Sequence, residues 1–344
     1  MNTESNDHSG RAVRRPVTIY DLAEATGLNP STVSRALRGT GRVSASTRER
    51  VAISARELGY HVNYAARALH SGRTSTLALI VADITNPLVF GIIRGAEQAA
   101  AARGYTLVIA ESRDSGAEES NVLARLVPNV DGVLLATSRL EDLAIHRAAQ
   151  SIPLTLLNRE VESVTSVMPD LVSGTRELVD HLHALGHSRV AYLGGPEHLW
   201  MAPRRQKMVA DRMAELGMEL VSAGTGPATL DGGRAAAEAV LAADATAVIA
   251  FNDLMAIGLL RTLVNGGTAV PAELSVAGFD NIFGTDFTTP ELTTVTGPLA
   301  ELGAAAVDHT LAMIDGVPAP ERAVPPSQLV VRESTGVCPP QRTR

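Results

Sequence analysis

The apolar positions of this chain fall into two regimes. Between Val17 and Tyr60 they recur at helical spacing in short bursts; from Thr76 onward they form β-branched runs separated by amphipathic stretches. In the first regime, Thr18 and Asp21 precede an apolar face of Leu22, Ala23 and Ala25, which predicts a capped helix ended by Gly27. Leu28-Asn29-Pro30 reads as a tight turn, with Asn29 as cap and Pro30 at the first helical position. Within Ser31–Arg38, Val33, Ala36 and Leu37 share one face and leave Ser31, Thr32, Ser34, Arg35 and Arg38 on the other. A third helix is expected to start at Ser44–Ser46, with Ser46 and Glu49 as a second capping pair, and to run through Val51, Ala55 and Leu58 to Gly59. Three short helices with a tight turn and outward hydroxyl and guanidinium groups suit the DNA major groove.

In the second regime TLALIVAD, YTLVIAES, VDGVLLAT and IPLTLLNRE predict strands, with helices through Phe90–Arg103, Glu118–Leu126 and near Leu140–Gln150. The unit then repeats. A helix at Gly174–Leu185 leads to RVAYLGGP, a helix near Arg204–Leu216 to ATAVIAFND, and a helix reaching Val264 to LSVAGFD. Such alternation predicts parallel sheets covered on both faces. Two of these α/β units make a two-lobed body with a ligand cleft at the C-terminal ends of the strands.

Charge separates the same two regions. Residues 11–75 hold eleven Arg against Asp21, Glu24, Glu49 and Glu57, a local +7, whereas 76–344 hold 19 basic and 31 acidic residues, within an overall net charge of −7. A basic head on an acidic body places polyanion binding in the head and keeps the body off DNA. Residues 1–16 are polar and read as a flexible arm rather than a signal peptide. No stretch approaches the roughly 18 apolar residues of a membrane span, so no membrane partner and a cytoplasmic, nucleoid-associated location are expected. The single Cys338 excludes an intrachain disulfide framework.

The ordered series TIYDLAEATGLNPSTVSRAL, NYAARAL, DITNP, VDGVLL, HLHALGHSRVAYLGGP, FNDLMAIG, VAGFDN, TPELTTV and VVRESTG resembles the LacI-type (lactose and purine repressor) transcription regulators, over Val17 to Gly336. The resemblance implies a helix-turn-helix head and a periplasmic-binding-protein-like effector domain with three crossovers, near 160–165, 290–297 and 325. It places Leu299–Ile314 back on the first lobe. The implied layout is an arm at 1–16, the DNA-binding domain at 17–60 and a hinge helix and linker at 61–75. The effector and dimerisation domain follows at 76–337, with lobe one about 76–160 and 298–324, lobe two about 161–297 and 325–337, and a tail at 338–344. By the same resemblance Pro30, Ser31 and Arg35 read bases, and Thr18, Tyr20, Thr32, Ser34, Arg42 and Ser44 anchor the DNA backbone. Paired hinge helices pack through Ala66, with Leu69 wedged into the minor groove. Asn86, Arg205, Asn252 and Asp280 match effector-contacting positions, and Arg159 and Asp170 lie near the cleft.

Other readings are weaker. His181, His183 and His187 have metal-like spacing, but on a helix His181 and His183 project about 200° apart, and no Cys or carboxylate cluster completes a site. The GGPEH turn lacks the spacing of a phosphate loop. The expectation is a homodimeric regulator, no enzyme, without metal or cofactor. It would bind pseudo-palindromic operator DNA under control of a small, sugar-like effector. A sugar-modifying clamshell enzyme with an accessory head is the alternative, and it would need an acid–base pair or nucleophile in the cleft.

Overall fold

The computed structural model describes residues 15, 17–38, 41–60, 72–320 and 322–339. It divides into two compact units, Met1–Gly72 and Arg73–Arg344. The hinge residues Ala66 and Leu69 lie outside the described residues.

The head consists of α1 (Ile19–Thr26), α2 (Pro30–Arg38) and α3 (Ala45–Leu58). Leu22, Ala23, Val33, Ala36 and Val51 form its small core. Local hydrogen bonds set the helix limits. Thr18 and Asp21 make the predicted capping box, and Gly27 and Gly59 end α1 and α3 in the left-handed conformation that costs glycine least. The cap of α3 differs from expectation: the Ser44 hydroxyl, not Ser46, accepts from the Thr47 N–H at 3.2 Å. A Ser three residues ahead of a free N–H has the reach for this bond, and Ser46 already lies inside the helix.

The body begins with β1 (Thr76–Val81), α4 (Leu88–Ala102), β2 (Thr106–Glu111), α5 (Gly116–Leu126), β3 (Gly132–Ala136), α6 (Asp142–Ser151), β4 (Leu154–Leu157) and β5 (Ser166–Val167). These strands form a parallel sheet in the order β2-β1-β3-β4-β5. Then come α7 (Leu171–Ala184), β6 (Arg189–Gly194), α8 (Met201–Glu215), β7 (Glu219–Thr225), α9 (Leu230–Ala235), α10 (Ala237–Ala242), β8 (Ala247–Ala250), α11 (Asp253–Asn265), β9 (Ser275–Asp280) and β10 (Thr293–Thr296). After α12 (Leu299–Asp315) the chain ends its regular structure in β11 (Gln328–Val330). The second sheet runs β11-β10-β9-β8-β6-β7, parallel except that β11 is antiparallel to β10.

The central strands β1, β3 and β4 of the first sheet and β6, β8 and β9 of the second are buried on both faces, which explains why they read as continuous apolar runs rather than alternating ones, whereas the edge strands β2 and β7 are largely exposed. Leu77, Leu79 and Val81 face the layer of α4 and α12, while Ala78 and Ile80 face that of α5 and α6. In the second lobe Ala191 and Leu193 face α11, and Val190 and Tyr192 face α7 and α8.

The first crossover corrects the expectation of 160–165. Leu156 and Leu157 pair in parallel with Ser166 and Val167, so the chain stays on the first sheet until Val167 and leaves through 168–170. Val161, buried under the sheet, holds that intervening loop to the first lobe. The chain returns at 297–298 into α12, whose Leu302, Ala305 and Ala306 belong to the first lobe's core, and crosses again between 316 and 327. Helices α4 and α12 touch backbone to backbone. A Cβ at Gly95 would collide with the Ala300 carbonyl, and one at Gly303 with the Ile92 carbonyl.

The HLHALGH segment serves the second lobe's structure. His187 is buried, with Nε2 donating to the Gly336 carbonyl at 3.0 Å and Nδ1 accepting from the Thr246 hydroxyl at 2.8 Å. His181 Nε2 lies 2.9 Å from the Thr335 hydroxyl. The two rings therefore clasp residues 335–336 against the sheet.

Two outcomes are expected. Gly95→Ala forces α4 from α12 and lowers the body's stability by about 1–3 kcal/mol, read from the midpoint of urea unfolding. Burial pushes the imidazoles of His181 and His187 below their usual range. The unfolded chain thus takes up protons that the folded one does not, and stability, full above about pH 6.5, falls as the pH drops below it. Urea midpoints measured on either side of that pH should show the loss, and His187→Gln should shrink it.

Candidate functional site

On the head, Tyr20, Ser31, Arg35, Arg42 and Ser44 are exposed, with Tyr20 at 71%. Pro30, Thr32 and Ser34 are half-buried. Asn29 Oδ1 accepts from the N–H and the hydroxyl of Ser31, each at 3.0 Å, which fixes the first turn of α2. Arg35 Nε donates to the Ser31 carbonyl at 3.1 Å, so its guanidinium lies along the exposed face of α2. Arg35 and Ser31 thus form one polar ridge on a short helix, the arrangement that reaches base edges in a major groove.

Thr18 is more constrained than its expected anchoring role suggests. Its hydroxyl donates to Asp21 Oδ2 at 2.7 Å and accepts from the Asp21 N–H, so the cap uses it fully. These bonds from Thr18, with Arg15 nearby, hold the Asp21 carboxyl below its usual range. The negative charge at this helix end competes with any phosphate for the same N–H groups.

In the body a cavity of about 560 Å³ opens between the lobes, within the range of small-molecule sites. Helix and strand ends from both lobes line it. Asn86 precedes α4 and its Oδ1 accepts from the Leu88 N–H at 3.1 Å. Asn252 caps α11, accepting from the Met255 N–H at 2.9 Å while its Nδ2 donates to the Ala228 carbonyl at 3.1 Å. Arg159 donates to Asp142 and to the Ser138 carbonyl, both at 2.8 Å.

Arg205 sits in the second turn of α8 and is 3% exposed. Its guanidinium lies 4.5 Å from the Phe279 ring centroid and 5.0 Å from that of Phe251. One nitrogen donates to the Phe251 carbonyl and another to Asp280 Oδ1 at 3.0 Å. Asp280 ends β9 with φ 105°, followed by Asn281 at φ 46°, a strained turn for non-glycine residues. Asp253 holds that turn from below: its carboxyl accepts from the Ile282 N–H at 3.0 Å and from the Thr294 hydroxyl at 2.6 Å. Complete burial, then the Asp280 charge, push the Asp253 carboxyl well above the usual carboxylate range.

Asp170 departs from expectation. It does not line the cavity; it caps α7, accepting from the N–H groups of Val172 and Ser173 and from the Ser173 hydroxyl. Those bonds, that from the Ser173 hydroxyl foremost, hold its carboxyl below the usual range. The lining also includes residues the sequence reading passed over: Asp83, Asp114, Arg139, Asn158 and His198. Arg139 and Asn158 each follow a strand end, as do Arg159 and Asn252, while Asp280 ends its strand. Trp200 lines the cleft as well, with the Arg204 guanidinium 3.5 Å from its ring centroid. Among the described residues no group of three His, Cys, Asp or Glu side chains could hold a metal ion, and no helix is long and apolar enough to cross a membrane.

A helix-turn-helix head on a two-lobed body with a polar interlobe cleft defines a DNA-binding transcriptional regulator that carries a small-molecule site. Comparison with known proteins agrees. Residues 18–63 match the model of bacterial regulatory proteins of the lacI family, and residues 179–335 that of the periplasmic binding protein-like domain. The HTH-type transcriptional regulator DegA of Bacillus subtilis is 32% identical over 333 residues, covering 92% of this chain and 98% of the relative. The lac repressor dimer bound to operator and the anti-inducer ONPF superposes with a TM-score of 0.82 at 26% identity, over 94% of this chain and all of that one. A complex of the transcriptional regulator CelR with cellobiose gives 0.69 at 30% identity, over 93% and 100%. The chain belongs to the lacI family of bacterial regulatory proteins, and it is a transcriptional regulator, not an enzyme.

Proposed function

We propose that the protein acts in the cytoplasm, on the nucleoid, as a homodimeric repressor whose operator affinity is set by a sugar-like effector in the interlobe cleft. One head meets each half of a pseudo-palindromic operator, the half-sites lying about 34 Å apart. The lac repressor relative is a dimer on its operator, and the CelR relative holds cellobiose, which supports both halves of the reading. Pro30, Ser31 and Arg35 face base edges; Tyr20, Thr32, Ser34, Arg42 and Ser44 position the head on phosphates, with Thr18 fixing the start of α1 beside them; and paired Ala66 and Leu69 segments occupy the minor groove.

The observation that carries the effector reading is the Arg205–Asp280 pair, buried on the second lobe at the edge of a cavity that both lobes line. A hydroxyl there accepts from the guanidinium while donating to the carboxylate. A ligand that also reaches Asn86 or Arg159 on the first lobe favours the closed cleft. Closure rotates the lobes and changes the spacing of the two heads, which couples ligand and DNA through one bistable element.

Arg205→Ala and Asp280→Ala should each weaken effector binding at least about 30-fold, by calorimetry, while the operator Kd in the absence of ligand stays within about threefold. Loss of operator binding by a folded variant, judged by thermal melting, would place these residues outside the effector site. Arg35→Ala should cost about 1–3 kcal/mol on the cognate operator and much less on random duplex, in gel-shift titrations at fixed salt.

A further inference from the structure

The charges along the cleft walls are already matched to one another. Three guanidiniums line it, Arg139, Arg159 and Arg205, against three carboxylates, Asp83, Asp114 and Asp280. Each guanidinium is also paired in detail. Arg139 Nε donates to Asp114 at 2.6 Å, Arg159 to Asp142 at 2.8 Å and Arg205 to Asp280 at 3.0 Å. Each further donates to a main-chain carbonyl, those of Thr137, Ser138 and Phe251 respectively. Among the described lining residues there is no Lys, and no guanidinium lacks a carboxylate partner.

Helix N-termini are the other common source of anion affinity; that of α8 has no side-chain cap and opens on the apolar Leu199, Trp200 and Met201, whereas at three others side chains occupy the first-turn N–H groups. Asn86 accepts from the first-turn N–H of Leu88, Thr229 from that of Gly232 and Asn252 from that of Met255. An anionic group that seeks the α11 N-terminus or Arg205 would have to displace Asn252 or take the guanidinium from Asp280. Displacement at α11 leaves the buried Asn252 unpaired, and capture of Arg205 leaves Asp280, 11% exposed, unpaired; Asp114 and Asp142, 50% and 67% exposed, stay solvated, so the penalty is concentrated at Arg205–Asp280 and Asn252. A hydroxyl breaks neither arrangement, because it inserts beside a guanidinium–carboxylate pair as donor and acceptor at once.

We propose that the effector is an uncharged, hydroxyl-rich molecule, and that its phosphorylated or carboxylated counterparts are rejected by the charge matching of the cleft walls. The proposal rests on the reading of the cleft as the effector site. It names the class of effector: an unphosphorylated polyol or glycoside rather than a sugar phosphate, nucleotide or sugar acid.

The chain's one tryptophan, Trp200, lies on the cleft wall, so its emission reports occupancy in the full-length protein. A small-molecule extract of cells carrying the protein is split on an anion-exchange resin into an uncharged flow-through and a retained anionic fraction. Each is titrated at equal ionic strength against wild type and Arg205→Ala, reading Trp200 emission and retention of operator DNA. The expected result is a response to the flow-through alone, lost in Arg205→Ala, with inorganic phosphate at millimolar concentration indistinguishable from chloride. A phosphate ester of the active compound should then bind at least about 30-fold more weakly than the compound itself. A response confined to the retained fraction and lost in Arg205→Ala would overturn the uncharged effector while leaving the cleft as its site. Silence from both fractions, or a response indifferent to Arg205→Ala, would overturn the effector-site reading and this proposal with it.

Discussion

A guanidinium that is 3% exposed must be matched in charge, and much of the second lobe is arranged to match Arg205 and to take the hydrogen bonds of its two terminal nitrogens, Nε being left without a partner. The last turn of β9 bends into a strained conformation to bring Asp280 alongside it, and Asp253 secures that bend from the helix beneath. Phe251 and Phe279 supply ring faces on its apolar sides, and the Phe251 carbonyl takes another N–H. The elements involved, α8, α11, β8 and β9, are adjacent in the second sheet and its covering layers. The fold therefore delivers the pair to the cleft edge already assembled.

How much of this was legible in the sequence depends on the range of the interaction concerned. Thr18 with Asp21, the glycine stops at Gly27 and Gly59 and the turn at Asn29-Pro30 are encoded within a few residues, and the head could be read almost whole. The one slip there, Ser46 for Ser44, arose because two serines stand close enough to compete for the same cap. Strands buried on both faces announced themselves as apolar runs, but the two-residue β5 carries too little pattern to be seen, and the first crossover was misplaced with it. In the cleft, the family resemblance placed Arg159, Asn252 and Asp280, together with Asn86 and Arg205, where the lining is found. It failed for Asp170, which also follows a strand but points its carboxylate back into its own helix. The pairing of Arg139 with Asp114 was invisible because 25 positions separate the partners and the sheet alone brings them together.

The two units divide the electrostatic labour as well. A charge of +7 over residues 11–75 supplies the long-range, salt-sensitive attraction to DNA, and the acidic body repels the same polyanion. That division leaves the body's interior free to hold its guanidiniums in neutral pairs, because none of them is needed for DNA. Basic residues in this protein thus do two unrelated jobs, with solvent exposure deciding which: Arg35 and Arg42 are exposed, while Arg159 and Arg205 are buried.

The second lobe completes its sheet with residues from far along the chain. β11 forms its outer edge, the Ser334 carbonyl accepts from the Val276 N–H at 2.8 Å, and His187 closes on Gly336. During synthesis the head and most of the first lobe leave the ribosome long before these residues exist. A polypeptide stopped near residue 320 therefore carries an intact DNA reader and a sensor whose second half lacks its edge strand and its histidine clasp. Nonsense mutations late in the reading frame would uncouple gene control from metabolite supply before they removed the reader itself.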